Sequence, residues 1–362
     1  MKKLLFILTL LALLSCKKEN ENPKYEWTDV SPESETYFRD IQMLNENVGY
    51  VAGTISNEPT DLTCTQNLTG VTCQISLDNT IPDLSCIVTD PLPSASIMYK
   101  TEDGGKSWNQ VTLPFSKYKH MSFVDEHLGF VLSGDGLYKT TDGGQNWQKI
   151  MENSVIYDHT IKSNTFQKVK FTGPDNGFLY TNYFMGGGCI LVSVNGDGAV
   201  KKVISNPVQI PAPISFVNGI EHNPVHPEEV FILTSKNLFM SNADGDNPEQ
   251  IPNTYAYEKI TYTGKSWYAH HANILSRSNH NGKIWNNIST LPLNYCSILA
   301  SAGEDWICVS DKTGIYLSED GGLKFRQMSK PGVEINEICF PSPKTGIAVG
   351  PNGRILRYSS AE

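Results

Sequence analysis

Three short stretches carry a carboxylate, two glycines and an aromatic ring in one arrangement: Thr101-Glu-Asp103-Gly-Gly105-Lys-Ser107-Trp108, Thr140-Thr-Asp142-Gly-Gly144-Gln-Asn146-Trp147 and Ser318-Glu-Asp320-Gly-Gly322-Leu-Lys324-Phe325. A carboxylate on a glycine turn has two uses. It can serve as a general acid or base in a reaction. It can also accept hydrogen bonds from backbone N–H groups while glycine supplies the positive φ of the turn and the aromatic ring folds back over the hairpin. Three equivalent copies cannot all serve one substrate, so Asp103, Asp142 and Asp320 are expected to be structural staples. Histidines offer a second chemistry. His222 and His226 stand four apart, a spacing that suits a metal on a helix, but Pro224 and Pro227 exclude the helix. His270-His271 lacks the further ligands that a metal site needs. Hydrolysis of a glycosidic bond requires a specific pair of carboxylates, and no pair stands out. Neither a catalytic residue nor a metal or cofactor is therefore expected.

The elements that hold these residues come from a repeat. Worn copies of the turn lie at 191–200, 238–248 and 275–285, so the box position falls on Asp103, Asp142, Asn195, Ala243, His280 and Asp320. The spacing is mostly that of a four-stranded propeller blade. Each unit has an alternating strand, an apolar strand that begins at glycine (49–53, 129–133, 177–181, 346–350), a third strand that enters the turn, and a fourth that starts at Trp108, Trp147, Trp285 or Phe325. Such runs read as antiparallel hairpins. The last unit ends at the third strand, 354–360, while Trp27–Val30 has the form of a fourth strand without its own first three. The two are expected to pair and close a seven-bladed, all-β propeller over residues 25–360, which removes exposed sheet edges. A monomer is expected.

The first residues belong to no fold. Met1-Lys2-Lys3 supplies a positive start, and Leu4 to Leu14 form an apolar stretch too short to span a bilayer. Residues 1–15 read as a secretory signal. Leu13-Leu-Ser-Cys16 resembles the lipobox of bacterial lipoproteins, which implies cleavage before Cys16, acylation of its thiol and a membrane anchor. Residues 16–24 form a polar tether similar to the export tag of Bacteroidetes surface lipoproteins. The expected location is the cell envelope, as an outer-membrane lipoprotein that is periplasmic or surface-exposed. Net charge is −9 and the few arginines (Arg39, Arg277, Arg326, Arg354, Arg357) are scattered. A polyphosphate partner needs a basic stripe, so nucleic acid is excluded. Outside the reducing cytoplasm a disulfide is expected among Cys64, Cys73 and Cys86, with the pairing left open.

The three turns match the Asp-box, or BNR, repeat, and with 345–359 and the Gly-Gly-x-x-Trp units the chain resembles the photosystem II assembly-factor family and its bacterial relatives. The resemblance implies a propeller with a protein partner. Sialidases and xyloglucanases carry the same box, so it specifies a fold better than a function. A sialidase reading also fails on the arginines, because its three-arginine clamp has no counterpart here. If the box turns occupy the lower face, the loops between blades and between second and third strands occupy the upper one. The Pro-, Thr- and Cys-rich insertion at 56–96 then lies on the upper face as a flap. Tyr118, Tyr157, Tyr183, Phe184, Tyr255, Tyr257, His270, His271 and Tyr295 fall in the same loops and form the candidate binding face. Aromatic side chains there could stack on a sugar ring or a peptide. The expected function is a membrane-anchored, non-catalytic binding or assembly module with a protein or polysaccharide partner. The competing reading is a glycoside hydrolase of non-sialidase type.

Overall fold

The computed structural model describes residues 25–55, 71–75, 84–88, 95–157, 160–163, 166–183, 188–205, 216–224, 226–279, 281–311, 314–328 and 334–360. The leader, Cys16, the tether, Cys64 and Phe184 lie outside the described residues. Among the described residues the regular elements are all β-strands, and they build seven four-stranded antiparallel sheets. The first strand of each sheet is innermost: Thr36–Met43, Tyr118–Phe123, Lys168–Gly173, Val217–His222, Lys259–Tyr262, Ile298–Gly303 and Glu337–Ser342. Each packs on the next and the last packs on the first, so the sheets form a ring of seven blades.

Ring closure follows the expectation from the termini. Tyr25–Asp29 is the outer strand of the last blade and pairs antiparallel with Ile355–Ser360, with Trp27 opposite Tyr358. Their rings lie 5.6 Å apart. Two small hairpins are additions to the blade pattern. Val71–Ile75 pairs with Leu84–Val88 inside the insertion, and Ser154–Tyr157 pairs with Thr160–Ser163 between the second and third blades. The second hairpin lengthens the interval from Asp142 to Asn195 beyond that between Asp103 and Asp142.

Local chemistry explains the strand order. A glycine at the start of the second strand lies under a side chain near the end of the first strand: a Cβ at Gly129 would stand 2.3 Å from the Phe123 ring, and one at Gly177 2.4 Å from Phe171. Those rings then stack on the adjacent blade, Phe123 on Tyr50 at 3.8 Å and Phe171 on Phe130 at 3.4 Å between centroids. Seven apolar clusters result, each spanning two adjacent blades. The core is thus a ring of interfaces, and burial at about 25 cal/mol per Å² of apolar surface holds each blade to its neighbours.

Candidate functional site

The box turns lie at the end of the blades that also carries the first-to-second strand loops, and their hydrogen bonds show what the carboxylate does. Asp103 Oδ1 accepts the N–H groups of Lys106 and Ser107 at 2.9 Å and Oδ2 accepts the Ser107 hydroxyl at 2.7 Å. Asp142 and Asp320 repeat the pattern with Asn146 and with Leu323 and Lys324. Gly104 and Gly105 have φ of 72° and 78°, the left-handed region that glycine tolerates. Against the burial that would raise it, hydrogen bonds from Ser107, Thr101 and Lys106 pull the Asp103 carboxyl down to about 2. Bonds from Asn146 above all do the same for Asp142, also to about 2.

Each turn is then tied to the preceding blade. Arg357 Nε donates to the Gly104 carbonyl at 2.8 Å, the Tyr50 hydroxyl to that of Gly143 at 2.9 Å, and the Ser289 hydroxyl to that of Gly322 at 2.5 Å. In the worn copies an amide replaces the carboxylate: Asn195 Oδ1 accepts the N–H of Ala199 at 2.8 Å, and Asn242 Oδ1 that of Asp246 at 2.7 Å. The capping residue in the fourth blade is thus Asn242, one position before Ala243.

The innermost strands surround a central channel, and it is charged. Asp40, Lys170, Glu221, Lys259 and Glu337 line it together with His120 and His222. Most of these groups are already engaged across blades. Lys170 meets Glu221 at 2.9 Å, and Lys259 reaches past the sixth blade to Glu337 at 2.7 Å. Asp40 accepts the hydroxyl of Tyr118 and faces His120 Nε2 at 3.8 Å. His120 Nδ1 lies 2.9 Å from the Val169 carbonyl, and burial pushes the ring down to about 4 despite the pull of Asp40. Neutral His120 therefore donates from Nδ1 to that carbonyl. Amides fasten the rim: Asn182 makes both bonds to Val217 at 2.9 Å, and Asn218 donates to the Tyr257 carbonyl at 3.1 Å.

At the opposite end from the box turns the channel opens into a cavity of about 490 Å³ lined by four successive blades, with Lys168 and Tyr180 from the third, Asn218 from the fourth, Glu258 and Lys259 from the fifth, and Tyr295 from the sixth. Of the nine candidate aromatic and histidine positions, Tyr295 alone lines this cavity among the described residues. Tyr295 is 62% exposed and Tyr255 43% exposed. Tyr255 stacks on His271 with ring centroids 5.6 Å apart, and His271 Nδ1 is 3.0 Å from the Ala256 carbonyl, which orients the imidazole.

Tyr118, Tyr257 and His270 do not reach the surface. Tyr118 begins a strand and His270 lies within one, while Tyr257 sits in a loop that is packed inward: Tyr118 bonds Asp40, and Tyr257 packs on Trp285 at 5.1 Å. Tyr157 and Tyr183 end their strands, and Phe184 lies outside the described residues. Sequence reasoning missed Lys168, Tyr180 and Glu258. The signal available for Lys168 was its place at the start of an innermost strand, because such positions ring the mouth. The arginines do not converge: Arg277 bonds Ser266 at 2.9 Å, Arg326 pairs with Glu319 at 2.8 Å, and Arg39 lies over Tyr37.

The fold and this mouth define a seven-bladed propeller with stapled lower turns and a cavity at its upper end. No family model and no curated protein matches the sequence. Solved structures do match in fold. YCF48 bound to D1 peptide is 17% identical with a TM-score of 0.60, covering 94% of this chain and 98% of that one. YCF48 from Cyanidioschyzon merolae is 15% identical, also at 0.60, covering 92% and 98%. The Niastella koreensis GH74 enzyme is 11% identical at 0.54; the match covers 91% of this chain but only 44% of that enzyme.

Proposed function

We propose that this chain is a non-catalytic binding or assembly module, anchored to the cell envelope through an acylated Cys16, that holds a protein partner on its upper face. The observation that carries the reading is the mouth of the channel. There Tyr295 lines the opening, with Tyr255 and His271 on the same face of the ring, while the channel carboxylates Asp40, Glu221 and Glu337 are each engaged by a hydroxyl or a cation. Exposed aromatic side chains around a concave opening suit recognition. A glycoside hydrolase needs two carboxyl groups free to face one bond, and these three serve as ties between blades. The peptide bound by the YCF48 neighbour supports a protein partner over a polysaccharide.

The test compares the full-length acylated chain with a Tyr255→Ala/Tyr295→Ala variant and a lower-face Leu323→Ala control in capture from solubilised native envelopes. A discrete protein retained by the parent and the control, and lost from the double variant, is the expected result. Equal capture by all three, or release of reducing sugars from envelope polysaccharide by the purified chain, contradicts it.

A further inference from the structure

Among the described residues, two charges at the mouth lack the partners that the rest of the channel has. Lys168, the first residue of the third blade's inner strand, makes no ion pair or hydrogen bond through its ammonium among the described residues. Glu258, just before the inner strand of the fifth blade, accepts only the N–H of Ala272, at 3.1 Å, and meets no cation there. Both line the cavity of about 490 Å³, with Val217 and Asn218 of the fourth blade between them. A third group points the same way. Tyr180 is 7% exposed and lines that cavity, and its hydroxyl has no hydrogen-bond partner among the described residues. As part of the cavity lining, that hydroxyl can donate to a ligand acceptor. Burial holds the Tyr180 phenol protonated far above neutral pH, so it is a donor.

We infer that this cavity binds a peptide segment of both charges, seating a carboxylate between the Lys168 ammonium and the Tyr180 hydroxyl and a cationic side chain on Glu258 beside the Tyr295 ring. The inference deepens the binding reading above and rests on it. Charge complementarity selects the ligand. A purely anionic ligand meets repulsion from Glu258, a purely cationic one from Lys168, and an uncharged sugar leaves both unpaired. Tyr295, 62% exposed, adds a ring face on which an ammonium or guanidinium can rest.

The probes are N-acetylated, C-amidated peptides with Glu and Lys separated by none to three alanines, beside versions with Gln in place of Glu or of Lys. Fluorescence anisotropy on the full chain reads binding. At least one member of the series is expected to bind, more weakly as salt is added. Replacing its Glu by Gln should cost about tenfold in Kd, roughly 1.4 kcal/mol. Lys168→Gln should cost a similar factor for the parent peptide and nothing further for the Gln version. Glu258→Gln should behave in the same way toward the peptide's Lys, and Tyr180→Phe, which keeps the ring, should weaken only peptides that carry the Glu. If no peptide of the series binds, or if the singly charged Gln controls bind equally well, the inference is overturned. Envelope capture through Tyr255 and Tyr295 is a separate readout, so its success beside failed peptide binding removes the bipolar site and leaves the binding face standing.

Discussion

The hydroxyls before the box carboxylates are as much a part of the turns as the carboxylates. Thr101 Oγ1 accepts the Gly105 N–H at 2.8 Å and donates to Asp103 at 2.9 Å, and Thr101 is fully buried. Thr140 and Ser318 do the same in their blades. Thr101→Val keeps the volume but strands a buried N–H. It is expected to lower unfolding stability by about 1–3 kcal/mol, read from the urea midpoint; an unchanged midpoint contradicts the staple. Acid should act on the carboxylates. Asp103 and Asp142 have folded values of about 2, below an unfolded value of about 3.9. Depressed values mean that the stabilisation is present above about pH 4 and is lost as pH falls toward about 2. Urea midpoints should therefore drop across that window, and a double Asp→Asn variant should show a shallower drop. A parallel acid limb in parent and variant contradicts it.

At the scale of elements, the blades were legible because each is a local pattern. Gly129 and Phe123 lie six positions apart and meet across one hairpin, so the sequence order alone announces the contact. The mouth was not legible in that way. Lys168, Tyr180, Glu258 and Tyr295 come from three blades and meet only because the ring curves back on itself. Aromatic type was also a poor guide to exposure: Tyr255 and Tyr257, two residues apart, differ between 43% and 1% exposed. Within the insertion, Cys73 stands directly opposite Cys86 in the paired strands, a register position from which antiparallel cysteines come within disulfide reach. A Cys73–Cys86 bridge is expected in protein purified from an oxidising compartment. Non-reducing peptide mapping checks it, and a linkage of either residue to Cys64 contradicts this pairing.

The whole molecule is a ring whose last seam is made by chain ends. Trp27 packs beside Phe340 and Tyr358 in the cluster between the sixth and seventh blades. Trp27→Ala removes a half-buried ring from that seam. It should cost about 2–4 kcal/mol, at or below the full-burial range, and should leave the outer strand's edge free to associate. Thermal unfolding with light scattering checks this, and a variant that unfolds like the parent without aggregating contradicts closure as a stabilising seam. Closure also fixes which loops share a face, because it sets the direction of every inner strand. The most direct measurement is photocrosslinking in native envelopes, with the reactive group placed in turn at Tyr295 on the upper mouth and at Leu323 in a lower turn. A discrete adduct from position 295 and none from position 323 is the predicted result; an adduct from position 323 alone, or the same adducts from both, contradicts a partner held on the upper face.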